Sequence, residues 1–132
     1  MPDIARCTCG QLQASCEGPP VRTSVCHCNE CKRHSGSAFS WNARYDAAQV
    51  TTSGTSTAYT RIGDEGSAIT QHFCPTCGVT VWYTNSDVPD MIAVQAGAFA
   101  NPQFTPPSVS VYDPSRHVPW LTLTNPDIDR WD

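Results

Sequence analysis

The sequence predicts an all-β domain of short strands that are connected by metal-binding cysteine turns. Its 132 residues include 11 prolines and 8 glycines, which favour turns and short strands over long helices. Only 39% of the residues are hydrophobic, which is few for a domain that relies on apolar burial alone. Domains of this kind often use covalent or metal cross-links, and the 8 cysteines could provide them.

The strands are predicted from alternating apolar and polar residues between turn signals. Leu12, Ala14 and Cys16 alternate with polar neighbours, which predicts a half-buried strand over residues 11–16 with Cys16 as a small buried residue. One helical turn is expected over residues 29–34. The remaining strands are predicted, in chain order, at residues 21–25, 38–44, 50–52, 56–62, 68–73, 79–83 and 91–96, the last being the final regular strand.

The chain changes character after about residue 100, where prolines become frequent. These prolines argue against a long helix or a central strand. Apolar side chains predict that the segment packs along the body of the domain; they are Phe104, Tyr112, Trp120, Leu121 and Leu123. The length suits one domain, so we expect a single zinc-binding domain over residues 1–132 with a proline-rich C-terminal segment from about 100.

Charge and hydropathy argue against two classes of partner. The formal net charge is −4 and there is no basic run, so nucleic-acid binding is not expected. No hydrophobic stretch is long enough to span a membrane, and the N-terminal residues contain no apolar signal segment. We therefore expect a cytoplasmic protein whose thiols stay reduced. The sequence does not indicate an oligomeric state.

Seven of the 8 cysteines fall in three clusters whose spacing favours metal over disulfides. The clusters are Cys7-Thr-Cys9, Cys26-His-Cys28-Asn-Glu-Cys31 and Cys74-Pro-Thr-Cys77. Such close pairs satisfy disulfide geometry poorly, whereas a Cys-x-x-Cys turn directs two thiolates to one zinc ion at about 2.3 Å. Gly10 and Gly78, which follow two of the clusters, allow the chain to turn sharply.

The clusters divide naturally between two zinc ions. The two outer pairs together would form a closed site of the structural type; we call it the four-cysteine cluster, and it consists of Cys7, Cys9, Cys74 and Cys77. The central residues would leave one coordination position open, as catalytic zinc sites do. We call them the three-cysteine cluster, which consists of Cys26, Cys28 and Cys31.

Two alternative ligand sets are also compatible with the cysteine spacing. His34, three residues after Cys31, could close the second site as a fourth protein ligand. In another partition one ion is held by Cys7, Cys9, Cys26 and Cys28, and the other by Cys31, Cys74 and Cys77. His27 is expected on the face opposite its cysteine neighbours, because side chains alternate in an extended segment.

Several side chains near the cysteines fit either a functional or an ordinary role. Lys32 and Arg33 could attract carboxylates of a substrate, but they also suit a solvated basic pair. Glu30 and His34 could move protons, or could be surface residues. Ordinary structural roles are expected for His72, Trp41, Trp82 and Tyr83.

These motifs together resemble one known family. The segments Cys7-x-Cys9-Gly10, Cys26-His27-Cys28-x-x-Cys31-Lys32-Arg33 and Phe73-Cys74-x-x-Cys77-Gly78 are similar to the glutathione-dependent formaldehyde-activating enzymes, a family that includes the centromere protein V type. The similarity runs in order from about Ala5 to Gly97, and Ser35-Gly36-Ser37 with Phe39 extends it. His117 and Trp120 resemble the tail found in many members.

The resemblance implies a β-tent fold of stacked small antiparallel sheets with two zinc ions. It implies that the four-cysteine cluster is structural and that the three-cysteine cluster holds a more labile zinc that faces the substrate. It also implies a carbon–sulfur lyase-type activity in which a small thiol such as glutathione combines with an aldehyde, formaldehyde in the family name, to give S-(hydroxymethyl)glutathione.

Two other functions compete with this enzyme. In a non-enzymatic, zinc-stabilised binding module, both zinc ions would be purely architectural and fully ligated by protein. An activity like that of methionine sulfoxide reductases would need a free nucleophilic cysteine in the C-terminal part of the domain. The last cysteine is Cys77, which is already assigned to a metal.

Overall fold

The computed structural model describes residues 1–132 and confirms the all-β class. Eleven strands form two sheets, and the α-helices have only seven and four residues. The strands are β1 (Asp3–Arg6), β2 (Gln13–Cys16), β3 (Arg22–Cys26), β4 (Ser40–Asp46), β5 (Val50–Ser53), β6 (Thr57–Ile62), β7 (Ala68–Phe73), β8 (Thr80–Asn85), β9 (Met91–Gln95), β10 (Val109–Val111) and β11 (Asp129–Trp131). The helices are α1 (Asn29–Ser35) and α2 (Asp113–Arg116), with 3-10 turns at Ala47–Gln49 and Ala96–Phe99.

The smaller sheet has three antiparallel strands in the order β1-β2-β5. Its inner face carries Leu12, Ala14 and Cys16, whose side chains are fully buried, whereas Gln13 and Ser15 on the other face are partly exposed. The predicted alternation is therefore confirmed, and Cys16 is the small buried residue expected from the sequence.

The larger sheet has eight strands in the order β11-β10-β3-β4-β9-β8-β7-β6. Its two faces have different roles, because side chains alternate along each strand. One face contributes Ala43, Tyr45, Val94 and Trp82 to a core shared with the smaller sheet. The opposite face has polar and charged side chains, and it forms the floor of a cavity described below.

The C-terminal segment differs from the prediction that residues 91–96 form the final regular strand. That prediction is wrong, because β10 and β11 follow, and β10 lies between β3 and β11 with both neighbours parallel to it. The prolines flank β10 rather than interrupt it, so its three residues can pair on both sides. The antiparallel arrangement expected for the sheets therefore has two exceptions.

The prediction that apolar side chains of this segment pack along the domain is confirmed for Phe104 and wrong for Trp120. Phe104 is only 7% exposed and stacks on Phe99 with ring centroids 4.5 Å apart. Trp120 is 76% exposed and extends into solvent. No helix of the structure has the length and apolar character needed to cross a membrane.

Candidate metal centres

The four-cysteine cluster forms where two turns meet, one after β1 and the other after β7. Its four sulfur atoms all lie within 4.8 Å of one another. The sulfur of Cys9 is 3.6 Å from that of Cys7 and 3.6 Å from that of Cys74. Sulfurs around tetrahedral zinc are separated by about 3.8 Å, given a zinc–sulfur bond of about 2.3 Å. The cluster thus fits zinc, and all eight cysteines are free thiols rather than disulfides.

The surrounding chain directs hydrogen-bond donors at these sulfurs. The amide of Leu12 donates to Cys7 Sγ at 3.3 Å, and the amide of Thr76 donates to Cys74 Sγ at 3.4 Å. Gly10 and Gly78 adopt φ values of 83° and 80°, which glycine accepts at low cost and which the tight turns require. Such donors stabilise thiolates, the form that binds zinc.

Gln11 adds a side-chain donor to the same cluster. Its Nε2 donates to Cys74 Sγ at 3.0 Å, and the same amide group exchanges two 2.8 Å hydrogen bonds with the backbone of Thr55. Burial of Cys74 raises the pKa of its thiol. The hydrogen-bond donors, of which Gln11 has the largest effect, outweigh burial and lower the pKa to about 6. The sequence did not suggest a role for Gln11.

The three-cysteine cluster lies at the junction of β3 and α1. Cys26 ends β3, Cys28 caps the N-terminus of α1 and accepts a hydrogen bond from the amide of Cys31 at 3.4 Å, and the three sulfurs lie within 4.8 Å of one another. Hydrogen bonds from the thiols of Cys26 and Cys31 hold the pKa of Cys28 far below its ordinary value. The cluster therefore favours a thiolate at Cys28 and offers three sulfur ligands of the kind that bind zinc.

The fourth position beside these three sulfurs has no protein ligand. No His, Cys, Asp or Glu ligand atom lies within 4.8 Å of all three. The Nε2 atom of His34 is instead 3.0 Å from the side-chain nitrogen of Gln95. Of the ligand sets considered from the sequence, the two clusters defined above are the ones that the structure brings together; metal binding by them stays a prediction.

A cavity of about 460 Å³ lies beside the three-cysteine cluster. Its floor is the polar face of the larger sheet, where cross-strand register places Arg22 opposite Arg44 and Ser24 opposite Asn42. Its walls come from α1 and from the turn between β6 and β7. The functional groups that line it are Cys26, Cys28, Cys31, Arg22, Arg44, Arg61, Asn42 and Tyr83.

The side chains suggested from the sequence as carboxylate binders are engaged elsewhere. Lys32 Nζ donates to the backbone oxygen of Arg116 at 2.6 Å, and Arg33 forms an ion pair with Glu30. The cavity arginines were not predicted from the sequence. One signal could have identified Arg22, which lies four residues before Cys26 on a predicted strand and hence on the same face.

The aromatic residues divide between core and cavity. Trp82 is 8% exposed in the core, as expected, and His72 stacks on it with ring centroids 5.0 Å apart. Tyr83 faces the cavity instead. Burial raises the pKa of Tyr83, the charges of Cys31 and Cys26 add to this effect, and those of Arg44 and Arg22 oppose it. The phenol group therefore shares the cavity with the sulfurs and the arginine pair.

A third group of potential ligands is satisfied within the protein. His27 is fully buried on the face away from the sulfurs, as expected, and its Nε2 lies 2.8 Å from Ser110 Oγ. Ser110 donates to Asp113 Oδ2 at 2.6 Å, and Arg130 donates to the same oxygen at 2.7 Å. His117 Nδ1 is 3.1 Å from that oxygen. A guanidinium already bound to the carboxylate disfavours a metal ion at this oxygen. The network instead connects the end of β3 to the C-terminal segment.

Comparison with known proteins agrees with this fold and these motifs. No curated protein shows significant similarity to the chain. A protein of Rhodobacter sphaeroides with a crystal structure is similar in fold, with a TM-score of 0.60 and 16% identity over 98% of this chain and 99% of that chain. The family model described as glutathione-dependent formaldehyde-activating enzyme matches residues 3–115, which include every cysteine of both clusters. The chain therefore belongs to the glutathione-dependent formaldehyde-activating enzyme family.

Proposed function

We propose that this protein is a zinc-dependent carbon–sulfur lyase-type enzyme that joins a small thiol to an aldehyde and reverses that reaction. Glutathione and formaldehyde, which would give S-(hydroxymethyl)glutathione, are the substrates that the family description supports. The observation that carries the proposal is a three-sulfur cluster with a free fourth position beside a polar cavity.

The two clusters would have different roles. The four-cysteine cluster is closed and joins the turn after β1 to the turn after β7, so its zinc would stabilise the fold. The three-cysteine cluster would hold a second, more labile zinc that faces the substrate. The contrast between four sulfurs and three supports this division.

The reaction needs a thiolate and a polarised carbonyl group. The thiolate sulfur attacks the carbonyl carbon, a carbon–sulfur bond forms, the carbonyl π electrons move to oxygen, and that oxygen takes a proton. The reverse reaction breaks the same bond and releases the aldehyde. Zinc, when bound, would stabilise the substrate thiolate at neutral pH.

The cavity side chains would hold and orient the reactants. Burial keeps the hydroxyl group of Tyr83 protonated by raising its pKa, so it can donate a hydrogen bond to an oxygen that gains negative charge. Asn42 is 4% exposed at the floor of the same cavity and offers an amide donor. Holding both reactants in one cavity would lower the entropic cost of their encounter.

Replacing Cys28 by serine tests this function. Cys28→Ser keeps a side-chain acceptor at the N-cap of α1, so the helix should still form. It removes one of the three sulfurs, and we expect the bound zinc to fall from two ions to one per chain. The acceleration of adduct formation over the uncatalysed reaction of ¹³C-formaldehyde with glutathione, measured by exchange NMR, should then be abolished.

Cys16→Ala is the matched control, because Cys16 is a buried cysteine outside both clusters. It should keep two zinc ions and the activity of the unmodified protein. An unchanged acceleration of adduct formation by a folded Cys28→Ser variant would refute the proposed role of the three-cysteine cluster.

A further inference from the structure

Two arginines face each other on the cavity floor without a negative partner. Arg22 on β3 and Arg44 on β4 are directly opposite in the sheet register. Like charges in directly opposite positions destabilise an antiparallel pair. Both side chains are half-buried, and Arg22 is held in place by the ring of Trp131, whose centroid is 5.5 Å from its guanidinium carbon. The structure thus keeps two cations together at a cost in stability.

No carboxylate of the protein neutralises this pair. The only arginine–carboxylate ion pairs are those of Arg33 with Glu30 and of Arg130 with Asp113. The Nε atoms of Arg22 and Arg61 are buried and have no hydrogen-bond partner. A buried donor without a partner is destabilising, and a ligand with an acceptor group could supply the missing partner.

The acidic residues around the cavity do not fill this role. Asp64, Glu65 and Asp87 line its rim and are exposed, whereas the arginines lie on the half-buried floor. A larger cavity of about 740 Å³ elsewhere in the molecule contains one arginine, Arg6, which donates to the backbone oxygens of Cys7 and Thr8 at 3.3 Å. The cavity beside the three-cysteine cluster is therefore the one with unpaired cations.

We infer that Arg22 and Arg44, with Arg61 at the side of the cavity, form a carboxylate-binding subsite that selects thiols carrying a carboxylate several bonds from the sulfur. The inference rests on the proposed function, because it places the substrate sulfur at the three-cysteine cluster. Arginine guanidinium groups bind carboxylates through paired, charge-assisted hydrogen bonds.

The spacing along β3 indicates the size of the ligand. Arg22 and Cys26 are four residues apart on one strand, which separates their Cα atoms by about 13 Å. An extended tripeptide spans about 10 Å, so a tripeptide thiol can reach from the sulfurs toward the arginines once the arginine side chains extend into the cavity. A two-carbon thiol cannot. The subsite therefore recognises the peptide part of a glutathione-like thiol.

Thiol binding to the zinc-loaded protein tests the inference independently of turnover. Calorimetric titration compares three thiols: glutathione, its diethyl ester, and 2-mercaptoethanol. The unmodified protein should bind glutathione at least about tenfold more tightly than the ester, because the ester cannot form the charge-assisted hydrogen bonds of a carboxylate and loses their binding free energy. Arg22→Gln and Arg44→Gln should abolish that difference and leave the affinity for 2-mercaptoethanol unchanged.

Arg33→Gln is the matched control, because Arg33 lines the same cavity but is already paired with Glu30. It should keep the preference for glutathione over the ester. Thermal unfolding without ligand should show that neither Arg22→Gln nor Arg44→Gln lowers the melting temperature, since each removes a like-charge contact.

The outcomes separate this inference from the proposed function. Equal affinity for glutathione and its ester in the unmodified protein would overturn the carboxylate subsite while leaving thiol binding at zinc intact. A preference that survives in both Arg22→Gln and Arg44→Gln would also overturn it. Absence of binding by all three thiols would reject the proposed function, and the subsite with it.

Discussion

Asp113 organises the buried polar contacts beside the three-cysteine cluster. One of its oxygens accepts hydrogen bonds from Ser110 and Arg130 at 2.6 and 2.7 Å and lies 3.7 Å from His27 Nε2. His27 lies between Cys26 and Cys28 in the chain, so Asp113 fixes the segment that presents both sulfurs. A single carboxylate in α2 thus links the C-terminal segment to the candidate site.

Acid should weaken the fold through this carboxylate. Burial raises the pKa of Asp113, but the hydrogen bonds from Ser110 and His117 and the charge of Arg130 outweigh it and hold the pKa below 3.8. The unfolded chain therefore binds this proton more tightly, so the stabilisation is complete above pH 3.8 and is lost as the pH falls through the lower pKa of the folded state.

Two substitutions at Asp113 test this expectation by urea unfolding. Asp113→Ala should reduce the free energy of unfolding at pH 7 by about 2 kcal/mol, because buried donors lose their acceptor. Asp113→Asn keeps an acceptor but no charge, so its free energy of unfolding should change less between pH 4 and pH 2 than that of the unmodified protein. An equally steep pH dependence in Asp113→Asn would contradict the assignment.

Individual residues differ in how far the sequence alone predicts them. The cysteine clusters were predicted because ligand spacing within a turn is a local property, as in Cys74-Pro-Thr-Cys77. Arg22 and Arg44 were not predicted, because a free charge depends on cross-strand register and on the absence of a distant carboxylate. The sequence favours a core position for Tyr83, because Val81-Trp82-Tyr83 is a run of strand-forming apolar residues, whereas the structure places Tyr83 at the cavity.

At the scale of elements, the turn between β5 and β6 supports the four-cysteine cluster. Gly54 in this turn has φ 93°, and a Cβ atom there would lie 1.9 Å from the backbone oxygen of Gln11. Gln11 in turn donates to Cys74 Sγ at 3.0 Å. The close approach of two backbones at Gly54 therefore positions a hydrogen bond to a candidate zinc ligand.

Gly54→Ala should be more destabilising than Gly66→Ala. Gly66 has nearly the same φ, 90°, but no atom lies within 4 Å of a Cβ placed there. Gly66→Ala should thus cost only the left-handed conformation, roughly 1–2 kcal/mol. Gly54→Ala should cost about 2 kcal/mol more, because the backbone of Gln11 must shift. Chemical unfolding of both zinc-loaded variants measures the difference, and equal losses would contradict the role of this contact.

Most elements were predictable because their signals are local. Nine elements, eight strands and one helix, are predicted from alternation and turn residues. Each begins and ends within two residues of the observed element, and β7, at residues 68–73, matches at both ends. β1, β10 and β11 were not predicted. β10 and β11 have three residues each and form parallel pairs with partners distant in sequence, so no local pattern specifies them.

At the scale of the whole molecule, the two cysteine clusters occupy different structural settings. The four-cysteine cluster includes Cys7 and Cys74, which belong to the core between the two sheets. The three-cysteine cluster lies at the end of β3 beside the polar cavity on the opposite face of the larger sheet. Under the proposed function, stabilisation and substrate binding would therefore fall to separate zinc ions in one small fold.

X-ray absorption at the zinc edge, recorded with and without glutathione, tests the central claim most directly. Two zinc ions, one with four sulfur ligands and one with three, should give a mean of about 3.5 sulfurs per zinc, rising to about 4 when the substrate thiol binds. Cys28→Ser, with only the four-cysteine zinc, should show about 4 sulfurs in both conditions. A sulfur number that glutathione leaves unchanged in the unmodified protein would contradict an open, thiol-binding zinc at Cys26, Cys28 and Cys31.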